Sequence, residues 1–150
     1  MDVFIMRKLL LMITLLACTT MSTALAAHLV PLQEGTDRVP GVLYDEASMQ
    51  KSEDNLYFWE KIQRLDNGYE LRFAKVGLKN YDFSDALMAT KIPGQNMVYM
   101  HPQEWEEYGA TAHPLRMSWL DRVLVKANEA TKIGSNINLV SVEVPENLHE

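Results

Sequence analysis

One cysteine, Cys18, stands in 150 residues, and that scarcity excludes more chemistry than any other feature of the chain. An intrachain disulfide needs two cysteines and a thiolate zinc cluster needs several, so neither is expected. Glycine is sparse too, with seven residues and no glycine-rich phosphate loop. Basic residues are outnumbered, 14 Lys and Arg against 20 Asp and Glu, and they do not cluster with aromatics. The net charge of −6 disfavours phosphate backbones and anionic lipid, so no nucleic-acid partner is expected. No apolar run approaches the ~20 residues that span a bilayer. No G-x-S-x-G occurs, and nothing marks Ser84, Ser118 or Ser141 as nucleophiles. His28, His101, His113 and His149 form no H-x-H, H-x-x-H or H-E-x-x-H, so neither a metal nor a cofactor is expected.

What the chain does hold begins with residues 1–27. Arg7 and Lys8 precede an apolar stretch, Leu9 to Ala17, then a more polar one, then Ala24-Leu25-Ala26-Ala27. That order is a secretory leader, and either Met1 or Met6 can start it. Two ways of processing stay open. Ala24 and Ala26 fit the A-x-A pattern for cleavage after Ala26 or nearby. Leu15-Leu16-Ala17-Cys18 resembles a lipobox, which would make Cys18 an acylated first residue and the chain's only tie to a membrane. The protein is expected outside the cytosol, periplasmic or secreted, or held at the outer membrane by lipid. The leader carries +1, Arg7 and Lys8 against Asp2, so the remaining 123 residues carry −7. They form one domain of ordinary size.

Residues 28–40 read as an extended lead-in, 41–145 as the folded domain and 146–150 as a flexible tail. Gly41 to Tyr44 suits a short strand, and Asp45 to Asp54 is polar and turn-like. Leu56 to Leu65 and Tyr69 to Val76 are strand-like runs joined through Asp66-Asn67-Gly68, a hairpin signal. With Asn67-Gly68 as a two-residue turn, Ile62 faces Phe73, Arg64 faces Leu71 and Glu60 faces Lys75. A one-residue slip would exchange the faces. Asn80 to Asp85 reads as a loop, Met97 to Met100 as a strand and Gln103 to Tyr108 as a helical turn. Pro114 opens a helix to Lys132, with Leu120, Val123, Leu124 and Ala127 as its apolar stripe. Gly134 stops it, and Ile137 to Val144 is a last strand. The expected fold is α+β: an antiparallel sheet built on a central hairpin, with one main helix packed on one face.

Aromatics are the remaining lead to function. Tyr57, Phe58 and Trp59 are consecutive on a strand and point to alternating faces, which leaves Tyr57 and Trp59 for a partner or a second layer. With Trp105 and Tyr108 they are the candidate binding residues, because Trp and Tyr give large contact area at low entropy cost. Asp45, Glu46, Glu53, Asp54, Glu104, Glu106 and Glu107 are candidates for a carboxylate pair, but they also read as an acidic surface. No catalytic residue is assigned. The segment Val42 to Lys61 (VLYDEASMQKSEDNLYFWEK) resembles part of the surface-adhesin protein E family through Tyr44-Asp45, Ser48, Met49 and Phe58-Trp59. The resemblance implies an antiparallel sheet with a packed helix, no enzymatic activity and a role in surface binding. The family's later cysteines have no counterpart, and no family functional residue can be placed. The expected function is non-enzymatic binding of a macromolecule, a protein above all, in the bacterial envelope or at the cell surface. The alternatives are an envelope inhibitor or immunity protein and a small carboxylate-dependent hydrolase.

Overall fold

The computed structural model describes residues 27–108 and 114–149. Residues 1–26, which hold Cys18 and the expected leader, lie outside the described residues, as does His113. Three nine-residue strands form the centre: β4 (Asn55–Gln63), β5 (Tyr69–Gly77) and β6 (Phe83–Lys91). They run antiparallel in that order. Each outer flank is completed by short pieces. On the β4 side, β2 (Val42–Asp45) pairs with Glu60 to Ile62, and β3 (Gln50–Lys51) pairs with Leu56 and Tyr57. On the β6 side, β7 (Val98–Tyr99) and β8 (Glu106–Tyr108) take the two halves of the strand. β1 (Leu29–Gln33) adds to β2, and β9 (Thr131–Lys132) runs parallel to β3. The outer strands are two to five residues long, and β1 carries Pro31 and a register shift. Such edges resist pairing with a second chain.

The hairpin forms where expected, in a different register. Arg64 N donates to the Gly68 carbonyl at 2.9 Å and Asn67 N to the Arg64 carbonyl at 3.3 Å. The loop is therefore Leu65-Asp66-Asn67, a three-residue turn that ends with Asn67 at φ +67°. Asp66 fixes it: its carboxylate accepts from Gly68 N at 2.9 Å and pairs with the Arg64 guanidinium at 3.0 Å. Trp59 consequently faces Phe73, and Ile62 faces Glu70. The offset is odd, so it exchanges the partners on both faces.

This register makes both faces apolar. Leu56, Phe58, Ala74 and Val76 share one face with Val42 and Tyr44. Tyr57, Trp59, Leu71 and Phe73 share the other with Ala86 and Met88. The helix α1 (Pro114–Lys126) covers the first face through Leu120 and Val123, and Ala127 follows it there. It is tied down by Arg122 on the Leu32 carbonyl at 2.9 Å and by Lys126 on Glu46 at 2.9 Å. The second face is covered by residues 133–149, a strap with Ile133, Ile137, Leu139, Val142, Val144 and Leu148 turned inward.

The balanced α+β expectation is therefore corrected to a sheet-dominated fold, with nine strands and one 13-residue helix among the described residues. Residues from Phe83 onward, partly read as loop, are needed as the third long strand. Residues 106–108, read as a helical turn, pair with β6. Ile137 to Val144 is not a strand. Asn138 Oδ1 accepts from Val140 N at 3.3 Å, and the Ser141 hydroxyl donates to the Asn138 carbonyl at 2.7 Å. Those local bonds close a 3-10 turn and compete with any ladder. Nor is the tail loose, since Leu148 is 1% exposed.

The turn makes the register testable. Asn67→Gly should leave urea stability within about 0.5 kcal/mol, because glycine tolerates positive φ. Asn67→Val should cost about 1–3 kcal/mol, because a β-branched residue is strained there. Gly68→Ala should be at least as damaging, since a Cβ at that position runs into the Lys91 carbonyl oxygen.

Candidate functional site

The second face gathers most of the aromatic residues singled out from the sequence. Alternation along β4 sends Tyr57 and Trp59 to it, and Phe73 on β5 stands between them. Phe73 stacks on Tyr57 with centroids 5.9 Å apart and meets Trp59 at 5.0 Å. Trp105, just before β8, closes on Phe73 at 5.8 Å and on Tyr57 at 6.2 Å. The Lys75 ammonium lies 4.7 Å from the Trp105 ring centroid, a cation–π contact that seals the outer edge. Tyr108 is placed by its backbone, which pairs with Phe83. Phe73 is the hub that sequence reading missed. Its signal was only the register, which a longer turn conceals.

Tyr57 and Trp59 are not a free surface: they are 1% and 6% exposed. Their second layer is the strap. The Tyr57 hydroxyl accepts from Ile137 N at 3.2 Å. Asn136 Oδ1 accepts from Ser52 Oγ at 2.7 Å and from Asn55 Nδ2 at 3.1 Å. At the far end the Tyr69 hydroxyl donates to the His149 carbonyl at 2.5 Å, and Lys61 Nζ donates to the Leu148 carbonyl at 3.4 Å. Burial, and then the neighbouring Tyr99, push the Tyr69 hydroxyl above its ordinary value of 10.0, which keeps it a donor.

Between strap and sheet an open cleft of about 690 Å³ remains. Trp59 and Phe73 lie at its floor, and Gln50, Ser135, Asn138 and Glu143 stand on its walls. The side chains of Gln50, Ser135 and Glu143 make no hydrogen bond or ion pair among the described residues. A cleft with an apolar floor and spare amide, hydroxyl and carboxylate groups can bind and orient a ligand.

The carboxylate candidates are dispersed. Glu46 pairs with Lys126, and Glu106 lies 3.6 Å from Arg72. Arg72 also holds Glu70 at 3.0 Å and Asp85 at 3.1 Å, so it clamps β5, β6 and β8 together. Asp45 is fully buried, accepting from the His28 and Ala47 backbone amides at 2.9 and 3.2 Å. Glu53, Asp54, Glu104 and Glu107 are exposed. Of the histidines, His101 is exposed and the His149 ring meets the Tyr99 hydroxyl at 3.5 Å. No group of three or more His, Cys, Asp or Glu able to hold a metal occurs among the described residues. No described helix is long and apolar enough to cross a membrane.

Family models, characterised proteins and solved structures contain no match to this chain.

The strap's anchoring gives two measurable expectations. Leu148→Ala should cost about 2–4 kcal/mol in urea unfolding, because it empties a filled position of the second core. The raised Tyr69 contributes stability fully present below its unfolded pKa near 10.0 and lost as pH rises through its higher folded value. Alkaline unfolding monitored by tryptophan fluorescence should show that loss, and Tyr69→Phe should remove it.

Proposed function

We propose that this chain is an exported, non-enzymatic binding protein of the bacterial envelope or cell surface, and that it holds its partner in the cleft between sheet and strap. The observation that carries this reading is the set of spare polar groups, Gln50, Ser135 and Glu143, above the Trp59–Phe73 floor. Polar groups on a rim fix a ligand's orientation, while the partly exposed apolar lining, Ile133, Ile137, Val142 and Pro145, supplies contact area. The leader-like residues 1–27 support the compartment. The resemblance of Val42 to Lys61 to the surface-adhesin protein E family points the same way; here that segment forms β2, a 3-10 turn, β3 and most of β4.

One observation favours an inhibitor or immunity role instead. Glu104 and Glu107 are exposed beside and on β8, and exposed carboxylates of this kind complement a basic enzyme cleft. The hydrolase reading draws no support from Glu46 or Glu106, which are held by Lys126 and Arg72.

Capture from envelope extracts separates the two binding modes. A triple variant on the cleft wall, Gln50→Ala, Ser135→Ala and Glu143→Ala, should keep its melting temperature within about 2 °C, since surface changes are near neutral. It should lose at least about tenfold in partner affinity, the cost of two or more interfacial hydrogen bonds. Charge reversal of Glu104 and Glu107, with Glu106 kept because it faces Arg72, should leave capture intact. The opposite pattern, with a basic hydrolase as the captured partner, would establish the inhibitor role and reject the cleft.

A further inference from the structure

Asp45 is fully buried at the end of β2, with its side chain beside the start of the described chain. Its Oδ1 accepts from the His28 amide at 2.9 Å and from the Ala47 amide at 3.2 Å. Its Oδ2 has no hydrogen-bond partner among the described residues. No Lys or Arg forms an ion pair with it among the described residues, and the nearby Lys126 is engaged by Glu46 and Glu129. A buried carboxylate with one oxygen unpaired and no counter-ion is an expensive arrangement that folds retain only when something compensates it.

The sequence supplies a compensating charge at the right place. The A-x-A pattern at Ala24 and Ala26 directs cleavage to the Ala26–Ala27 bond. Ala27 is partly buried against the second core, and the next residue already bonds Asp45. Successive backbone nitrogens stand at most about 3.6 Å apart. The Ala27 nitrogen therefore lies within about 6.5 Å of Oδ1, about the range over which an opposite charge stabilises a carboxylate.

We infer that cleavage after Ala26 creates an α-ammonium on Ala27 that acts as counter-ion to the buried Asp45 carboxylate, so that removal of the leader stabilises the fold. The step is hydrolysis by a signal peptidase. Water adds across the Ala26–Ala27 amide, leaving a carboxylate on Ala26 and a protonated amine on Ala27. Before cleavage the same nitrogen is an uncharged amide. The inference rests on the export reading and goes beyond it, because it assigns the new terminus a structural charge.

The test compares two forms of the full-length chain produced in an exporting host. One is the native sequence; the other carries Ala26→Leu to block cleavage. Asp45→Asn is introduced into each. The mass of the native product should correspond to a start at Ala27. Its melting temperature should exceed that of the blocked precursor by about 4 °C or more, the shift expected of a partly buried charge pair. Asp45→Asn should lower melting in the processed chain and leave it unchanged or raise it in the precursor. That reversal of sign is the decisive readout, since a merely structural carboxylate would give the same shift in both. Acetylating the α-amine of the purified processed chain should reproduce the precursor's behaviour, which keeps the test open should the precursor fail to fold. Equal Asp45→Asn shifts in the free-amine and blocked-amine forms would overturn the inference and leave export standing. An acylated start at Cys18 would do the same, because it places nine residues and an amide bond before Ala27. Recovery of the native chain uncleaved in the cytosol would overturn the export reading itself.

Discussion

The fold depends on the parity of one ladder. Asn67 at positive φ closes a three-residue loop, and that loop sets the pairing of β4 with β5. Each face then receives bulky apolar residues: Leu56, Phe58 and Val76 on one, Tyr57, Trp59, Leu71 and Phe73 on the other. A sheet apolar on both faces cannot leave either in water. One helix can cover only one of them. The second cover, the strap, follows from the hairpin turn rather than from any helix or strand propensity of residues 133–149.

That dependence explains what was legible beforehand. The hairpin, β2 and the helix start at Pro114 follow from local signals: strand-like runs around Asn-Gly, a short β-rich run, a proline suited to a first turn. The register was not local. Asn67-Gly68 suits a two-residue turn, and only the bond from Arg64 to the Gly68 carbonyl and the Asp66 side chain select the longer one. Once the parity is wrong, Trp59 and Val76 look like exceptions to a one-sided sheet. They are instead members of two full cores. β6 was obscured for a related reason. Its Asp85 and Ser84 read as loop polarity, yet Asp85 is buried because Arg72 meets it from the neighbouring strand.

The candidate site was legible in its residues and not in its shape. Tyr57, Trp59 and Trp105 stand out in the sequence as binding candidates, and the structure brings them together around Phe73, with Tyr57 and Trp59 buried. Their contribution to a cleft is a floor. The polar groups that line the cleft, Gln50, Ser135 and Glu143, carry no motif; β3 and the strap bring them to the same cleft. Sequence distance hides them, since more than eighty residues separate Gln50 from Ser135. Asp45 reads in the sequence as turn polarity or as one of several candidate carboxylates, and nothing in composition signals that the His28 and Ala47 amides bond it.

The same long-range ties bear on when the chain can fold. Arg122 holds the Leu32 carbonyl across 90 positions, Lys61 the Leu148 carbonyl across 87 and Tyr69 the His149 carbonyl across 80. Each cover is therefore fixed to the sheet only after nearly the whole chain is available. Contacts of such separation form late and slowly, because loop-closure entropy precedes their reward. β1 is the outermost member of the sheet path and, among the described residues, pairs only with β2. The central strands can thus pair before β1 takes its place at the end of the path.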